Sequence, residues 1–152
     1  MSAFRISTTV KAEPLAMYSL LKSVGKFPEL IPQVKKAKVL FRLPQNHQVS
    51  EWEVEIEGTA FKWKEEDIYH DQGLSWSFRM LEGDCGSFEG QWLVTPSGSI
   101  SQLTLDVSFD WGIPRLGRYT GPALERKAKK NLTRVVAILR KEARCGRLPI
   151  YG

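Results

Sequence analysis

Residues 114–144 read PRLGRYTGPALERKAKKNLTRVVAILRKEAR, and the reading of this stretch decides the fold. Leu124, Ala128, Leu132, Val135 and Leu139 recur at steps of three or four, which places them on one face of a helix. Asn131, Val136 and Ile138 widen that stripe. The opposite face carries Arg126, Lys127, Lys129, Lys130, Arg134, Arg140 and Lys141. Pro122 is tolerated in a first helical turn, so the main helix is expected to start there, after Gly121, with Pro114–Tyr119 as a short lead-in. Gly146, followed by Pro149, marks the stop. Such a helix is about 34 Å long, at roughly 1.5 Å per residue. Its wide apolar face needs a partner surface of matching length.

The chain upstream supplies one. Phe4, Ile6, Thr8 and Val10 alternate with polar residues, as in an opening strand. Ala12-Glu13-Pro14 starts a helix whose buried side is read as Leu15, Tyr18, Leu20 and Leu21, ending at Gly25. Phe27–Pro32 is a second short helix or turn. From Val34 to Trp111 the period becomes two. The expected inward rows begin with Ala37, Val39, Phe41 and Leu43, then Trp52, Val54 and Ile56, then Phe61, Trp63 and Glu65. They continue with Leu74, Trp76, Phe78 and Met80, then Phe88, Gly90, Trp92 and Val94, and end with Leu103 through Trp111. The outward charges on the first three of these strands run positive, negative, then largely positive. Cross-strand pairing explains that order in an antiparallel meander with one wet face. The expected class is therefore α+β: a curved sheet of seven antiparallel strands wrapped around a long C-terminal helix, with two short helices after the first strand. One helix cannot pack flat across so many strands, so the sheet has to curl, which tends to leave a cavity.

The 152 residues are expected to form a single domain with its own core. No run approaches the ~20 apolar residues of a membrane span, and MSAFRISTTV has no basic-then-apolar leader pattern, so a cytoplasmic protein is expected. Cys85 and Cys145 are far apart. With only His47 and His70 besides, no metal-ligand spacing exists, and two reduced thiols are expected. Residues 114–144 hold ten Lys/Arg against two Asp/Glu, so the net charge of +5 is a property of the helix. That face is either simply solvated or suits an acidic partner, an anionic membrane surface or RNA. No specific DNA binding is expected.

Four local patterns carry a resemblance: the Ala-Glu-Pro opening of the first helix, Phe27-Pro28 with Pro32, Gly58-x-x-Phe61-x-Trp63, and Gly83 with Phe88-x-Gly90-x-Trp92. With Phe109-x-x-Gly112-x-Pro114 and Asn131, the chain resembles the START-like, Bet v 1-like (SRPBCC) superfamily. Within it, the chain is similar to the polyketide cyclase/dehydrase branch, which includes coenzyme Q-binding START-domain proteins and aromatase/cyclases. The resemblance implies a helix-grip fold with a hydrophobic pocket between sheet and long helix. It also implies a quinone, lipid or polyketide-like ligand and no cofactor. It does not separate a carrier from a cyclase or dehydrase that works without metal or covalent nucleophile.

Trp52, Trp63, Trp76, Trp92 and Trp111 all fall in the apolar rows, where each either fills the core or lines a pocket and offers its N–H to a ligand. Phe61, Phe78 and Phe109 share those rows. Glu65 has inward parity. It either has a raised pKa and serves as acid or base, or sits at the sheet's end and reaches water. Arg79 has outward parity and would enter the pocket only through a bulge. Asn131 on the apolar helix face either bonds a ligand or satisfies a polar neighbour, and Tyr119 is a candidate at the pocket mouth.

Overall fold

The period-two rows become seven antiparallel strands in order β1-β7-β6-β5-β4-β3-β2 in the computed structural model, which describes residues 2–56, 58–84, 86–110, 115–116 and 119–144. The strands are β1 (Ser2–Val10), β2 (Val34–Leu43), β3 (His47–Ile56), β4 (Thr59–His70), β5 (Ser75–Gly83), β6 (Ser87–Ser97) and β7 (Ile100–Asp110). From β2 to β7 each strand pairs with the next, and β1 returns to pair with β7. β1 and β2 are thus consecutive in sequence yet form opposite edges, so residues 11–33 must cross the sheet. They do so as α1 (Pro14–Lys22), a 3-10 turn (Val24–Lys26) and α2 (Phe27–Leu30). α3 (Gly121–Arg144) closes the fold and packs on β1, β3 and α1.

Along β7, Ser101, Leu103, Leu105, Val107 and Phe109 are buried, and the residues between them are not. The outward charges pair as their order required: Glu51 sits opposite Lys64 and Glu53 opposite Lys62, while Lys36 pairs with Glu51. Exposed pairs of this kind contribute at most ~1 kcal/mol each, so they favour register more than stability. Gly58, at φ 85°, closes the β3–β4 turn in a conformation that favours glycine.

Several expectations shift. The buried side of α1 holds Tyr18, Leu20 and Leu21 as expected, but Met17 rather than Leu15 completes it and Val24 continues it, while Leu15 in the first turn is 68% exposed. On β2 a register shift between Val39 and Phe41 breaks the period of two, and Phe41 and Leu43 are exposed rather than inward. Leu74 lies in the β4–β5 turn at φ 54°, not in the strand. Within the expected helical lead-in, Arg115–Leu116 (β8) pairs with Tyr119–Thr120 (β9), and α3 starts at Gly121. Trp111, Gly112, Pro114, Cys85, Cys145, Gly146, Pro149 and the side chain of Tyr119 lie outside what is described. Among the described residues, no helix is long and apolar enough to cross a membrane.

Gly90 shows how tightly the sheet is packed. A Cβ there would collide with the Asp106 carbonyl oxygen and lie 2.8 Å from Cζ of Phe78. The glycine lets the Phe78 ring lie across its neighbouring strand. Gly90→Ala should lower stability by roughly 1–3 kcal/mol or more, because backbone as well as a ring must move. Urea unfolding measures this, and an unchanged midpoint at unchanged slope would contradict the packing described.

Candidate functional site

The inward rows and α3 enclose an apolar cavity of about 130 Å³. Its floor is Trp52, Val54 and Ile56 of β3, Phe61, Trp63 and Glu65 of β4, Trp76 and Phe78 of β5, Phe88 and Trp92 of β6, and Leu105, Val107 and Phe109 of β7. Phe27 and Val34 close one side. Ala128, Asn131, Leu132 and Val135 of α3 form the roof. The lining is carbon apart from the indole nitrogens, Glu65 and Asn131.

Register explains how the rings meet. Trp52 is paired with Trp63, and Trp76 with Trp92. The sequence Trp63–Trp52–Trp76–Trp92 is a run of stacked rings at centroid distances of 6.0, 6.2 and 6.0 Å. Phe27 abuts Trp52 edge-on at 5.7 Å. Such aromatic pairs add about 0.5–1.5 kcal/mol each beyond area burial, so the floor is both core and cavity wall.

Three of the indole N–H groups are not offered to the cavity. Trp63 Nε1 donates to Glu65 Oε1 at 2.7 Å, Trp52 Nε1 to Ser50 Oγ at 2.8 Å, and Trp76 Nε1 to Asp67 Oδ1 at 2.9 Å. Asp67 is fully buried and also accepts from Ser50 Oγ at 2.5 Å and Gln48 Nε2 at 3.2 Å. Arg42 in turn donates to Gln48 Oε1 at 2.9 Å. A buried carboxyl is tolerated only with such donors. Asp67 continues the parity of Phe61, Trp63 and Glu65 by one step, so extending that row would have revealed it. Its partners come from β3 and β5 and carry no local signal.

Glu65 is 2% exposed, so it does not sit at a wet sheet end. Oε2 makes no geometrically sound hydrogen bond, although the carboxyl lies close enough to Asp67 for the two to couple. Burial first, then the neighbouring Asp67 carboxyl, hold its pKa well above the usual carboxylate range, against the opposing pull of the Trp63 N–H. Glu65 is thus a carboxylic acid at the wall of an apolar cavity. Arg79, by contrast, lies on the outer face. The β4–β5 bulge falls after it, at Leu81, and its guanidinium bonds Glu66 at 3.2 Å. Asn131 is 7% exposed and faces the cavity.

A curled antiparallel sheet gripping a C-terminal helix over such a cavity defines a START-like, Bet v 1-like helix-grip protein. The chain belongs to the polyketide cyclase/dehydrase and lipid transport family, whose profile matches residues 10–136. No curated protein matches it by sequence. Among solved structures it is similar to TTHA0849 from Thermus thermophilus, at 22% identity and a TM-score of 0.87, over 97% of this chain and 100% of that one. It is also similar to the Zhui aromatase/cyclase from a Streptomyces strain, at 20% identity and a TM-score of 0.85, over 99% and 98% of the two chains. A START superfamily protein from Mycobacterium smegmatis follows at 18% identity and a TM-score of 0.79, over 93% and 96%. At these identities the likeness concerns the fold.

The raised Glu65 has a consequence for stability. The folded state keeps a proton that the unfolded chain releases near pH 4.5, so stability falls as pH rises from there through the folded-state pKa. Glu65→Gln preserves shape and an acceptor for the Trp63 N–H but has no proton to lose. In urea unfolding, the variant should lose less stability than the parent as pH rises above about 4.5. Parallel pH profiles would mean that Glu65 ionises in the fold as it does in water.

Proposed function

We propose that the protein binds and carries a hydrophobic small molecule, a quinone, lipid or polyketide-like aromatic, in the cavity between sheet and α3. The observation that supports this best is an apolar cavity with one buried carboxyl, Glu65, in its wall, whose uncharged form burial favours. Affinity comes from apolar burial at roughly 25 cal/mol per Å², and Glu65 orients a ligand oxygen by hydrogen bonding. The size favours a single aromatic ring. An apolar cavity of about 150 Å³ holds benzene, while sites for larger ligands measure about 300–1,000 Å³. A larger ligand would need α3 to lift or Leu132 to turn.

Glu65 also favours a second reading, a cyclase or dehydratase in which it donates a proton to a ligand oxygen while the cavity shapes the chain. Under that reading Glu65→Gln abolishes turnover and leaves binding intact.

Binding of phenol, followed by quenching of the floor tryptophans, tests the carrier reading. Ala128→Leu fills the roof from a buried position and should weaken binding more than tenfold while keeping the fold. Unchanged affinity would place the ligand elsewhere. Mass spectrometry of an organic extract of the natively purified protein identifies what is carried.

A further inference from the structure

Beside the cavity lies a second chamber of about 250 Å³ with a different chemistry. Pro32, Gln33 and Lys35 form one wall, Glu55 and Ile56 another, and Lys127, Lys130, Asn131 and Arg134 of α3 the third. Asn131 and Ile56 line both spaces, so their side chains form part of a shared wall. Among the described residues of this lining, Glu55 is the one acid, against four cations.

Two observations mark the chamber as more than a solvated helix face. Asn131 is 7% exposed, it lines both spaces, and its carboxamide bonds no other described residue, so its amide atoms face the open space. An amide turned to such a space is available to a ligand. On the facing wall Gln33 Oε1 is buried and lacks a partner, where a buried polar atom normally has one. The wall that carries it is held in place, because Glu55 N donates to the Gln33 carbonyl at 2.8 Å. Lys35, Lys130 and Arg134 form no ion pair among the described residues. Polar groups without partners and cations without counter-charges therefore meet at one side of an apolar cavity.

We propose that this chamber is an anion subsite, and that the ligand is an amphiphile: its ring occupies the apolar cavity, its tether passes Asn131, and a carboxylate or phosphate rests among Lys35, Lys130 and Arg134. The inference rests on the cavity being the binding site. The Asn131 carboxamide bonds the polar start of the tether, and the cations hold the head.

The test compares 5-phenylpentanoate, 5-phenylpentyl phosphate and the neutral 5-phenylpentan-1-ol, by calorimetry and tryptophan fluorescence, with the parent chain and with Lys130→Gln/Arg134→Gln. Both replaced residues are exposed, so the fold is kept. The parent should bind at least one anion about tenfold more tightly than the alcohol, with the advantage shrinking at high salt. The better anion identifies the head group. The double variant should lose that advantage and keep its affinity for the alcohol. Equal affinity for anions and alcohol would overturn the anion subsite while leaving the cavity reading standing. An anion preference that survives in the double variant would overturn it as well. Failure of all three ligands to bind would overturn both readings.

Discussion

One width mismatch governs the molecule. Seven strands spaced about 4.8 Å apart span about 29 Å, whereas a helix with its side chains is about 10–12 Å across. α3 alone cannot cover such a sheet if it stays flat. Curling brings the inward rows of β3 to β7 around the helix. α1 and α2, forced across the sheet by the placement of β1 and β2 at opposite edges, cover what remains. Rings on five different strands then converge, and the space they cannot fill is the cavity.

The same curvature places polar groups where water is absent. Ser50, Glu65 and Asp67 occupy the inward rows because their parity demands it, and each brings an unfavourable desolvation. The indoles of Trp52, Trp63 and Trp76 offset it by donating into this network. The tryptophans therefore hold the carboxyls in place while their ring faces stay apolar toward the cavity. Burial, reinforced by the neighbouring Asp67, raises the pKa of Glu65 and so favours its uncharged form, the one best suited to a carbon-lined site. The basic face of α3 is likewise divided by the fold. Lys130 and Arg134 turn toward the chamber beside Asn131, whereas Lys129 reaches over the Phe4 ring at 6.0 Å.

The amino-acid sequence by itself determined the element order, the apolar stripe of α3, the inward parity of Trp52, Trp63, Trp76, Trp92 and Glu65, and the helix-grip class. These follow from periods of 3.6 and 2, which are local. Parity also placed Arg79 outside. The misplacements came where periodicity is interrupted: Phe41 and Leu43 beyond a register shift, Leu74 in a left-handed turn, and Leu15 in a first turn that the core does not cover. Only the tertiary structure decided that Trp63 and Trp76 give their N–H groups to carboxyls, that Glu65 lies within reach of Asp67, and that Gln33 and Asn131 face one chamber. Trp76 reaches Asp67 across the β4–β5 pair and Gln33 meets Asn131 of α3, whereas Trp63, Glu65 and Asp67 are successive inward residues of β4 whose side chains turn toward one another. Their distances depend on the curl of the sheet, which is a sum over seven strands that no local pattern encodes.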